Sequence, residues 1–123
     1  MDSAKGLEFR KKMFGDDTVD KRMTQFGDFG APLQDVINAW AYGDVWQRNA
    51  IPARTKSLIV VAMNAAMGHP AELRIHLRGA LANGCTVDEL QEIVLMVGVY
   101  AGIPAANETM RAAFEILHEA GKL

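Results

Sequence analysis

One short segment holds most of the side chains able to do acid–base work: His69-Pro70-Ala71-Glu72-Leu73-Arg74-Ile75-His76-Leu77-Arg78. On a helix advancing about 100° per residue, positions three, four and seven apart fall together. His69, Glu72 and His76 therefore share one stripe, with Leu73, Leu77 and Ala80 beside it to face a core. A carboxylate one turn from an imidazole can orient the ring and favour its charged form, which suits proton transfer. Glu72 and His76 are the expected catalytic pair. Against this stands a plainer reading: the spacing is common, and a lone histidine beside an apolar face is more often packed core than catalyst. His69, Glu72 and His76 are also metal-ligand types. One face of one helix seldom completes a coordination sphere, so no metal is expected.

Arginines form a second group. Guanidinium forks match carboxylates. Arg48, in a connector, and Arg54, in the first turn of a helix, are the candidates to hold an anionic ligand, with an ordinary surface ion pair as the alternative. Arg74 and Arg78 lie one turn apart, away from Glu72, and read as solvated or intersubunit residues. Trp46 and Tyr100 are weaker candidates to wall a pocket. Tyr100 earns its place by ending a helix just before a Gly-Ile-Pro break. Cys85 has no neighbouring Cys, His or cation to activate it and reads as structural.

Helices must position these residues, because no period-two alternation is long enough to argue for a sheet. The punctuation predicts a helix over 3–14, stopped by Gly15-Asp16-Asp17, and a short helical turn over 19–25. A loop is expected over 26–31, then a helix from Pro32 to about Tyr42 with Gly43 as its stop. After a connector over 44–51, further helices are expected over 52–67 and 69–83, ended by Gly68 and Gly84. Thr86-Val87-Asp88-Glu89 matches a capping box opening a helix to about Tyr100. Pro104 starts the last helix, which runs to Ala120. The expected fold is all-α, five to six helices in a single domain over residues 1–123.

Composition narrows the function. Of 123 residues, half are hydrophobic and 23% charged, which describes a folding chain and not a disordered one. Lys and Arg total 13 against 15 Asp and Glu, a net charge of −2, so no general attraction to nucleic acid or to an anionic membrane is expected. One cysteine excludes an internal disulfide, a Cys-x-x-Cys redox pair and a cysteine-based zinc cage, and suits a cytoplasmic setting. No basic-then-apolar leader is expected at residues 1–15. The longest charge-free run, 93–107, is broken by Gly98, Gly102 and Pro104 and is too short for a membrane span. Residues 58–67 and 93–99 are apolar nearly all round. In so small a domain that predicts burial against further copies of the chain.

Several stretches, taken in order, resemble the carboxymuconolactone decarboxylase family. They are Tyr42-Gly43-Asp44-Val45-Trp46-Gln47-Arg48, Arg54-Thr55-Lys56-Ser57-Leu58, Glu72-Leu73-Arg74-Ile75-His76-Leu77-Arg78-Gly79-Ala80, Asn83-Gly84-Cys85-Thr86-Val87-Asp88-Glu89-Leu90, and Val99-Tyr100-Ala101-Gly102-Ile103-Pro104-Ala105-Ala106-Asn107. The resemblance covers roughly residues 40–117. It implies an AhpD-like all-α fold, a homo-oligomer (trimer or hexamer), and decarboxylation of an unsaturated γ-lactone carrying two carboxylates. It also implies that no cofactor is needed, because that substrate has its own electron sink. His76 and Glu72 would then be catalytic, and Arg48, Arg54, Trp46 and Tyr100 substrate-binding. Thiol-dependent hydroperoxidases of the same superfamily use Cys-x-x-Cys followed by His. Laying that His on His76 puts His69 and Glu72 at the thiol positions, so peroxide chemistry is disfavoured. Tyr42 stands where Trp is expected, and Lys56 where Arg is frequent. Two alternatives remain beside the leading reading: a paralogue acting on another lactone or keto acid, and a non-catalytic oligomeric protein.

Overall fold

Asp2 opens the first helix by accepting the backbone N–H of Lys5 at 2.9 Å, satisfying one of the donors that a helix start leaves unpaired. The computed structural model describes residues 1–123 and is helical from this cap onward. Its order is α1 (Ser3–Phe14), α2 (Asp16–Thr24), α3 (Gly27–Val36), a π-helical segment (Ile37–Tyr42), a 3-10 turn (Val45–Gln47), α4 (Ala53–Met67), α5 (Pro70–Ala82), α6 (Val87–Ala101) and α7 (Ile103–Glu119). The all-α expectation holds, with seven α-helices where five to six were expected. Two compact units divide the chain, Met1–Ala53 and Arg54–Leu123.

The N-terminal unit is where sequence and structure part. Gly15, at φ 90°, breaks the chain only for a moment, and α2 starts at once with Asp16 and Asp17 in its first turn. Acidic side chains there favour a helix start, so the pair read as a stop is a beginning. Residues 27–31, expected as a loop, form the first half of α3, and Pro32 lies inside that helix rather than at its start. Proline there costs one hydrogen bond, to the Asp28 carbonyl, and Asp28 is exposed, so water can take that acceptor. The helix continues into the wider π winding instead of a plain α-turn.

That π segment lies against α1 with no side chain between their backbones. A Cβ on Gly6 would land on the carbonyl oxygen of Asn38, and one on Gly43 would land on that of Asp2. Glycine at both positions lets the chains meet. Arg10, buried in α1, ties the elements together: its Nη1 donates to Gln34 Oε1 at 2.9 Å and to Asn38 Oδ1 at 3.0 Å. Its guanidinium sits 5.7 Å from the centre of the Tyr42 ring.

The C-terminal unit is built on a continuous apolar core. Val61 and Ala65 of α4, Leu73, Leu77 and Ala80 of α5, Leu90 and Val97 of α6, and Ala112, Ala113, Ile116 and Leu117 of α7 meet in it. The capping box is formed as expected: Glu89 N–H donates to Thr86 Oγ1 at 3.2 Å, and Thr86 N–H to Glu89 Oε1 at 2.8 Å. Gly84 and Gly102, at φ 91° and 102°, make the sharp reversals between α5, α6 and α7. Each of these lies where the sequence placed it, apart from α7, which begins at Ile103 with Pro104 one step inside.

Candidate active site

The stripe expected to be catalytic lies on α5. His69 is its N-cap residue and Pro70 its first residue, where a missing N–H costs nothing. Glu72 follows in the first turn, half-buried, at the end where a carboxylate suits the helix dipole. His76 is one turn further and only 8% exposed, with Leu73, Leu77 and Ala80 buried beside it. Its Nδ1 is sealed from solvent. Any proton the ring exchanges with solvent or a ligand must therefore pass through Nε2.

Across the stripe from these groups, Arg74 and Arg78 reach back to α7. Their guanidinium groups meet Glu115 at 3.0 Å and Glu119 at 3.3 Å. They clamp two helices of one unit, a role the sequence reading did not give them.

Arg54 is engaged elsewhere. Its guanidinium forms an ion pair with the Glu89 carboxylate, the same carboxylate that completes the α6 capping box. The Thr86 backbone N–H holds Glu89 below the ordinary carboxylate value; the Thr86 hydroxyl and Arg54 add to this, and desolvation opposes it. Cys85 sits beside this knot and donates from Sγ to the Arg54 carbonyl at 3.4 Å. Burial pushes its thiol up, the Glu89 carboxylate pushes it further, and Arg54 opposes both. This fits a structural thiol.

Arg48 follows the 3-10 turn with extended backbone, exposed, its N–H donating to Val45 O at 3.2 Å. Trp46 is a packing residue of the N-terminal unit, its ring 5.9 Å from Phe9 and 6.0 Å from Tyr42 between centroids. Tyr100 is 83% exposed, so within one chain it walls nothing. Glu72 and His76 thus share one helix face, Arg54 and Tyr100 lie elsewhere in that unit, and Arg48 and Trp46 belong to the other unit. The chain gathers no group of three or more His, Cys, Asp or Glu side chains able to hold a metal ion.

One functional candidate went unseen in the sequence. Asn64, buried in α4, donates from Nδ2 to the Val60 carbonyl at 3.1 Å and turns its Oδ1 to His69 Nδ1 at 3.3 Å. The signal was there: Asn64 is the one polar residue in the run Leu-Ile-Val-Val-Ala-Met-Asn-Ala-Ala-Met, and a buried amide demands a partner.

Comparison with known proteins adds an independent line. The profile of the Carboxymuconolactone decarboxylase family matches residues 31–115. The chain is 40% identical over 116 residues to 4-carboxymuconolactone decarboxylase of Acinetobacter baylyi, spanning 94% of this chain and 87% of that one. It is 35% identical over 105 residues to nitrosuccinic acid decarboxylase npaB of Metarhizium robertsii, spanning 85% and 73%.

Proposed function

The chain belongs to the carboxymuconolactone decarboxylase family, and on that premise we propose that it is a carboxy-lyase converting 4-carboxymuconolactone to 3-oxoadipate enol-lactone and CO2 in aromatic catabolism. The observation that carries the site assignment is the pairing on α5 of a half-buried Glu72 with a buried His76 one turn on.

The chemistry asks little beyond positioning. When CO2 leaves the ring carbon, the bonding pair delocalises through the ring double bond onto the lactone carbonyl. No cofactor is needed to hold those electrons. The protein must grip the remaining carboxylate, stabilise charge on the lactone oxygen, and protonate the dienolate at carbon. We assign the carboxylate to Arg48, because the Arg54 guanidinium is held by Glu89. His76 serves as general acid or as donor to the oxyanion, oriented by Glu72. Trp46 and Tyr100 limit water, and Tyr100 can do so only under another copy of the chain.

A homo-oligomer, trimer or hexamer, follows from the same reading. Ile59, Met63 and Met67 of α4, Leu95 and Val99 of α6, and Phe114 of α7 are exposed apolar side chains. So are Phe29, Leu33, Val36 and Trp40, spaced along α3 and the π segment as one stripe. Faces of this kind are covered in stable proteins. No helix is long and apolar enough to cross a membrane. A cytoplasmic setting is part of the same proposal, supported by a single cysteine that needs no oxidising compartment.

The relative named for nitrosuccinic acid, an open-chain acid, supports a second reading, in which the substrate is a different carboxylic acid handled by the same residues. Incubating the purified protein with 4-carboxymuconolactone generated in situ, beside nitrosuccinic acid, and following CO2 release decides between them. Release from the lactone alone is expected. No release from either acid, with the oligomer intact, refutes both.

A further inference from the structure

Asn64 fixes the chemistry of His69 by a short chain of logic. The Val60 carbonyl can only accept, so the amide nitrogen of Asn64 must face it, 3.1 Å away. The amide oxygen therefore faces His69 Nδ1, 3.3 Å away, and an amide oxygen can also only accept. His69 Nδ1 carries the proton, and the lone pair of the neutral ring is left on Nε2. His69 lies on the rim of a cleft of about 250 Å³, shared with Asn64, Leu73, Arg74, Glu108 and Thr109. The charged groups lining that cleft are already paired, Arg74 with Glu115 at 3.0 Å and Glu108 with Arg111 at 2.9 Å. Thr109 Oγ1 donates to the Ala105 carbonyl at 2.7 Å. Imidazole is the side-chain type that both takes and gives a proton near neutral pH.

The proposed reaction consumes a proton each turnover. The carbon–carbon bond to the carboxylate breaks, CO2 leaves, and the pair becomes a dienolate. The carbon–hydrogen bond then forms with a proton drawn from the acid. His76 is buried, and that acid must be recharged before the next turnover. His69 is exposed and caps the N-terminus of α5, seven positions before His76, with Glu72 between them in the chain.

We propose that His69 is a proton-carrying residue of the decarboxylase, with Asn64 as its positioning residue: Nε2 takes a proton from water and gives it up to recharge the site. The inference rests on the decarboxylase reading above. Holding Nδ1–H on Asn64 means that the proton enters and leaves by one nitrogen, with no ring flip or tautomer change in the cycle.

Two measurements test this. Nitrogen NMR of ring-labelled wild-type protein should show neutral His69 as the Nδ1–H tautomer. Steady-state CO2 release by His69→Gln should show kcat reduced by about 10²-fold in dilute buffer, with KM unchanged and kcat restored by added imidazole. Asn64→Leu removes the acceptor, so the Nδ1–H preference of His69 should be lost in the NMR spectrum and kcat should fall toward that of His69→Gln, with KM unchanged. An Nε2–H tautomer in the wild-type protein overturns the role of Asn64. Unreduced kcat of His69→Gln at the lowest buffer concentration overturns the carrier. A wild-type protein that releases no CO2 overturns the functional reading and the carrier with it, and the NMR spectrum, which needs no turnover, still decides on Asn64.

Discussion

His76 offers the sharpest test of the mechanism, because its two assigned roles respond differently to substitution. Replacing it with Ala removes an imidazole that is 8% exposed, on a helix that also buries Leu73, Leu77 and Ala80. Loss of a buried side chain of that size costs about 1–3 kcal/mol of stability, or roughly 4–12 °C of melting temperature in a chain of this length. An assay well below the transition therefore sees folded protein. A lost general acid lowers kcat by about 10²–10⁴-fold, equal to roughly 2.7–5.5 kcal/mol of barrier. A lost oxyanion donor lowers it by about 10²–10³-fold. His76→Gln separates the two, since its amide keeps an N–H near the position of Nε2 and supplies no acid. If His76 is the acid, the Ala and Gln variants lose kcat alike. If it is the oxyanion donor, Gln recovers most of the loss. In both cases KM changes far less than kcat. The measurement is steady-state CO2 release, with circular dichroism to confirm folding. A folded His76→Ala protein within about threefold of wild-type kcat, roughly 0.7 kcal/mol, refutes the assignment outright.

Other substitutions probe the remaining assignments. Arg48→Ala should raise KM for the lactone by about 10- to 100-fold, the scale of one charged hydrogen-bonded contact of roughly 1.5–3 kcal/mol, whereas Arg54→Ala should leave KM unchanged and slightly lower the melting temperature. Glu89 has its pKa held below the ordinary 4.5 in the fold. Its stabilising share is therefore complete above pH 4.5 and fades as pH falls through the folded value. Glu89→Gln should accordingly lower the melting temperature relative to wild type near pH 7, with the gap narrowing as pH falls below 4.5. Val99→Glu places a charge on the exposed apolar face of α6 and should shift the protein toward monomer in analytical ultracentrifugation, and an unchanged oligomer would remove that face from the interface.

The C-terminal unit was readable because its signals are local and agree. Pro70 at a helix start, the Thr86–Glu89 capping box and glycines at Gly84 and Gly102 each mark a boundary by its own stereochemistry, and the apolar residues between them follow the helical period. The N-terminal unit was misread because its decisive interactions are not local. Phe26-Gly27-Asp28-Phe29-Gly30 has the composition of a loop, and the run through Pro32 is helical because it continues into the segment anchored by Arg10 through Gln34 and Asn38. That anchor joins residues 24 and 28 positions apart, beyond any pattern window. Spacing predicted that Glu72 and His76 lie one turn apart on a helix, and both lie in α5. The partner of Arg54 was not legible, because Glu89 lies 35 positions on, where the sequence showed only the capping box. Asn64 was passed over because apolar periodicity weighs neighbours together and hides the single buried amide among them.

The buried Cys85 also shapes how this protein can be studied. It is the chain's sole thiol, enclosed, donating to the Arg54 carbonyl, and kept protonated by burial and by the neighbouring carboxylate. Alkylating reagents attack thiolate, so the folded native chain gives them almost nothing to react with. A cysteine introduced on an open surface can carry a fluorophore or spin label without first deleting the native one, and delayed modification of Cys85 itself then reports the opening of the α4–α6 corner.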